Sequence, residues 1–295
     1  MRTVYLGTSD FAAAVLGRLA ESSHRPVLVV TRPDRPRGRG RKLASPPVAD
    51  LARALGIALE QPASVNEEPA LAAIAAARPD AVIVCAFGAL IKEPLLSAYP
   101  IRNVHPSLLP RWRGAAPIER AIMSGDDRTG VSIMELTAGL DSGPVCAQAP
   151  EPIAPDDTYG TLAPRLHTLG ADLLVRALDA SPPCEPQDDA LATYAEKIAP
   201  EDRQLDPSCT AVELERVVRA LTPHIGAYVL LGAGERLGVQ AVHVLEEDGV
   251  APGELSLDGT RPVFGCARGA LELVIVQPPG KRAMSGEDYL RGRRR

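Results

Sequence analysis

The chain has 295 residues, of which 45% are hydrophobic and 23% are charged, and this composition excludes wholesale disorder. Its length predicts two domains, because one domain usually contains about 100–200 residues. The net charge of −5 excludes a generally basic surface, so any contact with nucleic acid must come from a local patch.

The first half of the chain alternates short apolar runs with amphipathic stretches. The apolar runs predict strands at residues 3–6, 27–31, 81–85, 102–105 and 131–135. The amphipathic stretches predict helices at residues 11–21, 47–55 and 70–77. This order of elements indicates βαβ units, and continuous apolar strands are typical of a sheet that is covered on both faces. We therefore predict an α/β fold with a Rossmann-like, mostly parallel sheet.

A long helix and then a linker are predicted after this sheet. Residues 158–180 carry leucines at helical spacing, and Asp156, Asp157 or Thr158 is predicted to lie near the helix N-cap. Residues 181–208 are rich in Pro, Asp, Glu and Gln and show little periodicity. Such a stretch is typical of a linker between two domains.

The last part of the chain has the pattern of a small β domain with one helix. The string Thr210-Ala-Val-Glu213 matches a capping box before a helix at residues 212–221. Apolar runs separated by Gly-containing turns predict strands at residues 228–231, 237–244, 262–267 and 271–276. Short strands with such turns predict a small, OB-like β-barrel. The predicted organisation is a domain at 1–180, a linker at 181–208 and a second domain at 209–295.

The cysteine pattern favours reduced thiols in a cytoplasmic protein. The five cysteines are scattered and form no CxxC pair, at Cys85, Cys146, Cys184, Cys209 and Cys266. Their number and spacing argue against a disulfide framework and against a zinc site. The N-terminal stretch lacks the pattern of a signal peptide, and no apolar run approaches the about 20 residues of a membrane span. We therefore expect a cytoplasmic protein without a membrane anchor.

Three polar residues are candidates for an active site. Asn103 and His105 are two residues apart at the end of a predicted strand, so they face the same way, and Pro106 favours an extended backbone at His105. An amide and an imidazole that point at one volume can stabilise an oxyanion. Asp141 follows the next strand within Gly139-Leu-Asp-Ser-Gly143, where it can orient His105 and accept a proton. Each residue also has a structural interpretation: His105 as a hydrogen-bonded core histidine, Asn103 as a strand-end cap and Asp141 as an Asx-turn residue.

A basic segment at residues 31–43 is the second candidate site. It carries six cationic side chains, at Arg32, Arg35, Arg37, Arg39, Arg41 and Lys42. This density of charge in an acidic protein indicates either a solvated surface loop or an arm that contacts phosphates.

The string Asn-x-His-x-Ser-Leu-Leu-Pro-x-x-Arg-Gly at 103–114, followed by Gly-Leu-Asp-x-Gly at 139–143, resembles the folate-dependent formyltransferase superfamily. The resemblance implies that Asn103, His105 and Asp141 are the catalytic residues and that 10-formyltetrahydrofolate is the formyl donor. It implies no metal, because that donor is already an activated amide. It also implies two folate-binding segments, formed by Ser107, Leu108, Leu109 and Pro110 and by Phe87, Gly88 and Leu90.

The basic segment resembles that of superfamily members which formylate methionyl initiator tRNA. Its string Pro-Asp-Arg-Pro-x-Gly-Arg-Gly implies tRNA contacts from Arg35, Arg37, Arg39, Arg41 and Lys42. Strings at 192–197 and 279–285 agree, so the resemblance covers essentially the whole chain and implies a monomer whose second domain binds tRNA. Departures from the pattern at Thr137, Pro207 and His224 leave the three candidate catalytic residues untouched.

Other functions are compatible with parts of these motifs. A sugar N-formyltransferase or a formyl-folate hydrolase would share the three catalytic residues but would not need the basic segment. A non-catalytic RNA-binding module would need the basic segment alone. A nicotinamide-dependent enzyme is disfavoured, because the GxGxxG spacing does not follow Gly7.

Overall fold

The computed structural model describes residues 1–37, 42–246 and 249–293, with only the backbone described for Arg37, Lys42 and Ala233. Contacts within the chain divide it into two compact units. The first unit comprises Met1–Gly114, Thr129–Pro152 and Ala163–Tyr194. The second unit comprises Ala115–Arg128, Ile153–Leu162 and Ala195–Arg295.

The strands of the described ranges are numbered in chain order. They are β1 (Thr3–Gly7), β2 (Pro26–Val30), β3 (Arg35–Arg37), β4 (Lys42–Ala44), β5 (Ala58–Glu60), β6 (Ala81–Cys85), β7 (Ile101–His105), β8 (Arg113–Gly114), β9 (Arg128–Glu135), β10 (Val145–Pro152), β11 (Tyr194–Ala195), β12 (Ala227–Leu230), β13 (Arg236–Leu245), β14 (Leu255–Ser256), β15 (Val263–Gly265), β16 (Ala270–Gln277) and β17 (Met284–Ser285).

The helices are numbered in the same way. They are α1 (Asp10–Ala20), α2 (Pro47–Ala54), α3 (Glu68–Ala77), α4 (Leu95–Ala98), α5 (Pro117–Ser124), α6 (Tyr159–Ala180), α7 (Ala211–Leu221) and α8 (Gly286–Arg293). Within the described ranges, none of these helices combines the length and apolar character needed to cross a membrane.

The first unit is built on a seven-stranded sheet with the order β10-β9-β7-β6-β1-β2-β5. The pairs from β5 through β7 are parallel, whereas β9 is antiparallel to β7. Every residue of β1 and β6 is buried, as expected for strands that are covered on both faces. The sheet confirms the predicted α/β class, and it adds β5 and β10, which the apolar pattern did not predict.

The register of the parallel strands brings three chain segments to one edge of this sheet. Gly7 of β1 pairs with Cys85 of β6, and Cys85 pairs with Val104 of β7. The segments after β1, β6 and β7 therefore emerge side by side. Ligand sites of open α/β sheets lie at such an edge.

The second unit contains an antiparallel sheet with the order β12-β13-β16-β15-β14, and β17 pairs with β16. Helix α7 packs on this sheet through Leu214, Val218 and Leu221, which recur at helical spacing and belong to the same buried cluster as the sheet residues Leu237 and Leu273. This sheet confirms the predicted small β domain in the C-terminal region, and its strands pair in the antiparallel sense.

The segment predicted as a linker is more ordered than its composition suggested. It contains β11 and two short 3-10 helices, at Asp189–Leu191 and Glu201–Arg203. Further on, the imidazole of His224, which departs from the family pattern, contacts two side chains of the second unit. Its ring stacks on that of Tyr159 at 3.6 Å, and its Nε2 lies 2.9 Å from Glu119 Oε1.

The prediction of uniformly reduced cysteines was wrong. Cys146 and Cys184 form a disulfide, because the antiparallel bridge between Val145 and Glu185 places the two cysteines opposite each other. They are 38 residues apart in the sequence, and no local motif signals their pairing. The free thiols lie at Cys85 and Cys266, which are buried, and at Cys209, which is half-buried.

The predicted capping box at the start of α7 is present. The Thr210 hydroxyl accepts a hydrogen bond from the Glu213 backbone N–H at 3.3 Å, and the Thr210 backbone N–H donates to Glu213 Oε2 at 2.7 Å. We expect Thr210→Ala to lower the free energy of unfolding of the second unit by about 1 kcal/mol. Urea unfolding followed by circular dichroism measures this loss, with Thr210→Ser as the control that keeps the hydroxyl. Equal midpoints for Thr210→Ala and wild type would contradict the capping role.

The same box has a pH dependence. Hydrogen bonds from the backbone N–H and then the hydroxyl of Thr210 hold the pKa of Glu213 below its usual range. Because this pKa is lower in the folded state than in the unfolded state, the ionised Glu213 carboxylate stabilises the fold at neutral pH. This stabilisation is lost as the pH falls through the lowered pKa. The difference in the free energy of unfolding between Thr210→Ala and wild type should therefore become smaller in acid.

Candidate active site

Asn103 and His105 lie on β7 with their side chains on the same face. Both are buried, with exposed fractions of 8% and 4%. The Asn103 amide nitrogen Nδ2 donates to Asp141 Oδ1 at 3.3 Å, and His105 Nδ1 lies 3.6 Å from Asp141 Oδ2. The structure thus brings together the three residues that the sequence singled out as catalytic candidates.

The loop that carries Asp141 folds back over the sheet. Because β9 is antiparallel to β7, it ends with Glu135 opposite Arg102, two residues before the level of Val104. The following loop returns along β7 and places Asp141 in the left-handed region with φ of +45°. A Cβ at Gly143 would overlap the Glu135 carbonyl oxygen, so the loop's tight return requires glycine there.

The proton positions on His105 follow from its second contact. His105 Nε2 lies 2.9 Å from the carbonyl oxygen of Trp112. A carbonyl oxygen only accepts, so Nε2 carries a hydrogen in this arrangement. The nitrogen that can gain or lose a proton is then Nδ1, which faces the Asp141 carboxylate.

The Asp141 carboxylate, largely shielded from solvent, is surrounded by donors. In addition to the Asn103 amide, the backbone N–H of Gly114 donates to Oδ2 at 3.0 Å. A carboxylate removed from water needs such hydrogen bonds. Asn103 uses one amide hydrogen for Asp141 and has a second for another acceptor.

Two of the four residues at 107–110 that were predicted to contact folate are buried and bind neighbouring groups of the protein. Ser107 is fully buried, and its hydroxyl donates to the Arg111 carbonyl oxygen at 2.6 Å. Leu109 is buried, and its backbone N–H donates to the Ser132 hydroxyl at 3.1 Å. Leu108 and Pro110 are half-buried and keep apolar surface. These contacts fix the course of the chain directly after His105.

In the loop after β6, the residues predicted to contact folate are likewise partly buried and partly exposed. Phe87 is buried in the core, and its carbonyl oxygen accepts from the Thr8 hydroxyl at 2.9 Å. Gly88 is exposed with φ of +68°, and Leu90 is 66% exposed. Leu90 therefore presents apolar surface at the sheet edge where β7 ends.

Cys85 at the end of β6 is not a candidate nucleophile. Burial raises the pKa of its thiol well above the usual range. The thiol therefore stays protonated at neutral pH, and only a thiolate is strongly nucleophilic.

The basic segment is described only in part. Arg35 is exposed on β3, and Arg37 and Lys42 are opposite each other where β3 pairs with β4. Arg39 and Arg41 lie outside the described residues. The base of this hairpin is held by Gln61, whose amide nitrogen donates to the Arg32 carbonyl oxygen at 3.0 Å and to Asp34 Oδ1 at 2.8 Å.

Sequence reasoning missed one residue that contacts the candidate site. The Gln187 amide nitrogen donates to the backbone carbonyl oxygens of Asp141 at 2.9 Å and of Gly143 at 2.7 Å. Gln187 lies in the stretch that was predicted to be a linker, and a single glutamine among polar residues gives no recognisable signal. Arg113, which donates to Gln187 Oε1 at 3.0 Å, was part of the motif but had no predicted role.

One group of potential metal ligands occurs within the described ranges. Glu135, Cys146 and Cys184 bring their ligand atoms within 4.8 Å of one another. The two cysteines are bonded to each other in this structure, so neither offers a thiolate to an ion.

Comparison with known families defines the class of this protein. The family profile described as formyl transferase matches residues 1–178, and the profile described as formyl transferase, C-terminal domain, matches residues 197–294. The chain therefore belongs to the formyl transferases, a folate-binding family.

Comparison with individual proteins narrows this class. The methionyl-tRNA formyltransferase of Ectopseudomonas mendocina (strain ymp) is 42% identical over 301 residues, which cover 100% of this chain and 95% of that protein. The chain belongs to the methionyl-tRNA formyltransferase family.

Solved structures agree with the fold. A methionyl-tRNA formyltransferase from Clostridium thermocellum has a TM-score of 0.58 at 14% identity and covers 85% of this chain and 95% of its own. HypX from Aquifex aeolicus in complex with tetrahydrofolic acid has a TM-score of 0.66 at 18% identity and covers 98% of this chain and 47% of its own. At these identities the likeness concerns the fold alone.

Proposed function

We propose that this chain transfers the formyl group of 10-formyltetrahydrofolate to the α-amino group of methionine on initiator methionyl-tRNA, which yields formylmethionyl-tRNA for translation initiation. The observation that carries the proposal is the contact of Asn103 and His105 with Asp141 on one face of β7. Membership in the family supports the choice of acceptor. Because that acceptor is a tRNA, we propose that the enzyme acts in the cytoplasm, without a metal ion.

Asn103 is proposed to stabilise negative charge on the formyl oxygen. The folate supplies the formyl group as an activated amide. When the acceptor amine attacks the formyl carbon, the carbonyl oxygen becomes an oxyanion. The second amide hydrogen of Asn103 can donate to that oxygen, and a fixed donor of this kind acts without reorganisation in the transition state.

His105 and Asp141 are proposed to receive the proton that the amine loses. The α-amine of a peptide has a pKa of about 7.7–8.0, and an ester lowers it, so a useful neutral fraction exists at pH 7. His105 Nδ1 can take the proton because Nε2 already donates to the Trp112 carbonyl. The adjacent Asp141 carboxylate stabilises the resulting imidazolium. Collapse of the oxyanion then breaks the bond between the formyl carbon and N10 of the folate, and the proton is returned to that nitrogen, so that tetrahydrofolate leaves.

We propose that the folate binds at the surfaces beside β7. Pockets for such ligands combine apolar walls with a few fixed polar groups. Leu90, Leu108 and Pro110 retain apolar surface, whereas the backbone around Gly88 is exposed at the same sheet edge. We propose that these residues contact the folate directly. Phe87, Ser107 and Leu109, which are buried, would support those surfaces from behind.

The basic hairpin is proposed to contact the tRNA backbone through Arg35, Arg37, Arg39, Arg41 and Lys42. Cationic side chains that neutralise phosphates dominate nucleic-acid affinity and make it depend on salt. The second unit is proposed to add phosphate contacts through its exposed basic residues. These include Arg236, Arg268, Lys281 and Arg282.

Transfer of labelled formyl from 10-formyltetrahydrofolate tests the function directly. We expect formylation of methionyl initiator tRNA and little formylation of methionyl elongator tRNA, which serves as the control. Release of formate without an amine acceptor would instead indicate a hydrolase, and transfer to a nucleotide-linked amino sugar would indicate a sugar N-formyltransferase. Either of these outcomes would overturn the proposed acceptor.

Asn103→Ala tests the oxyanion donor. Removal of one such donor typically lowers kcat by about 10²–10³-fold, and we expect a loss of that order with KM values for both substrates mostly kept. Steady-state kinetics with saturating folate and tRNA measure it. A near-normal kcat would remove Asn103 from the mechanism.

Arg39→Ala tests the basic hairpin. We expect a higher KM for tRNA and a smaller dependence of that KM on salt, because one phosphate contact is lost, while the affinity for folate is unchanged. Arg176→Ala, which removes an exposed arginine of α6, is the matched control for charge. If both variants use tRNA equally well, the hairpin has no role in recognition.

A further inference from the structure

We infer that Gln187 is a positioning residue for the catalytic loop: its amide group holds the backbone of Asp141 and Gly143, and buried Arg113 holds Gln187. The inference rests on the proposed function, because it assigns Gln187 a role through Asp141. It concerns a residue outside the three that contact the reacting atoms.

The contacts of Gln187 use both hydrogens of its amide nitrogen. One hydrogen is donated to the Asp141 carbonyl at 2.9 Å and the other to the Gly143 carbonyl at 2.7 Å. The two carbonyls belong to the residues on either side of Ser142, so a single side chain bridges this part of the loop. The carboxamide is a suitable group for this bridge, because it offers two donors and an acceptor in one plane.

Arg113 fixes the orientation of this amide. Its guanidinium is 3% exposed and donates from Nε to Gln187 Oε1 at 3.0 Å and from a terminal nitrogen to Asp189 Oδ1 at 2.8 Å. A guanidinium only donates, so it selects the carbonyl side of the amide and turns the amine side toward the loop. The charge of Arg113 also polarises the amide, which strengthens the bonds that the amide donates.

The loop needs this support because its conformation is unfavourable. Asp141 has φ of +45°, a region that residues other than glycine occupy at a cost and only when their surroundings determine it. Gly114, the neighbour of Arg113, donates its backbone N–H to the Asp141 carboxylate at 3.0 Å. The short segment of Arg113 and Gly114 therefore holds Asp141 twice, at the carboxylate directly and at the backbone through Gln187.

The segment that carries Gln187 is itself fixed to the sheet. Glu185 exchanges backbone hydrogen bonds with Val145 at 2.8 and 2.9 Å, and Cys184 is bonded to Cys146 on β10. Gln187 is thus presented from a fixed segment. Its loss should free the loop and leave the sheet in place.

Two substitutions separate this role from general packing. Gln187→Met keeps the length of the side chain but removes both donors. Gln187→Glu keeps an oxygen for Arg113 but places an acceptor against two carbonyl oxygens. We expect both to lower kcat by about 10–10²-fold, the loss typical of a catalytic group displaced by about 1 Å, with KM for each substrate within about twofold of wild type. Gln240→Met, at a half-buried glutamine of the second unit, is the control and should match wild type.

The pH profile gives a readout that packing alone would not move. As the pH falls, protonation of the introduced carboxyl in Gln187→Glu restores one donor, so its kcat relative to wild type should rise. The relative kcat of Gln187→Met should not change with pH. If Gln187→Met fails to fold, the pH profile of Gln187→Glu against wild type decides the question by itself.

A double-mutant cycle with Asp141→Asn tests whether Gln187 acts through Asp141. We expect Gln187→Met to reduce kcat by less than about twofold in the Asp141→Asn background. Full additivity of the two losses, or a normal kcat for Gln187→Met in the wild-type background, would overturn the inference. Failure of the proposed function would appear in the wild-type enzyme with methionyl initiator tRNA, whereas failure of this inference would appear only in the variants.

Discussion

The Asp141 carboxylate is the group on which the site depends. It lies against Asn103, His105 and the backbone of Gly114, and it is only 15% exposed. A carboxylate this far from water is tolerated because donors surround it. Asn103 is both one of these donors and the proposed oxyanion donor, so the contact that satisfies the carboxylate also orients a group proposed to act in the transfer.

This arrangement follows from the reversal of strand direction at β9. In a purely parallel sheet, a loop after the neighbouring strand would leave from the same edge as His105. Because β9 runs the other way, its loop begins beside Arg102 and must return across β7. The return requires the close approach of Gly143 to Glu135 and a left-handed residue at Asp141. The geometry of the site is therefore a consequence of sheet topology.

Patterns that act over a few residues were predictable from the sequence. Buried strands such as β6 appear as continuous apolar runs, and the capping box at Thr210 has a local signature. Other features depend on partners far along the chain. The edge strand β10 contains Pro150 and Pro152, which are typical of loops, and it owes its conformation to its place at the sheet edge. The Cys146–Cys184 bond and the hydrogen bonds from Gln187 to Asp141 and Gly143 link segments 38 to 46 residues apart and have no local pattern.

The residues proposed for the chemistry and those proposed for recognition of the acceptor lie on different elements of the first unit. Asn103 and His105 are buried on a central strand, where packing fixes their rotamers and their positions do not depend on salt. The basic hairpin follows β2 in the chain, and Gln61 holds its base through Arg32 and Asp34. Changes in that hairpin can alter which acceptor binds without moving the formyl-transfer site. A common set of catalytic residues can for this reason serve enzymes that differ in acceptor, and the acceptor must be inferred from the hairpin rather than from Asn103, His105 and Asp141.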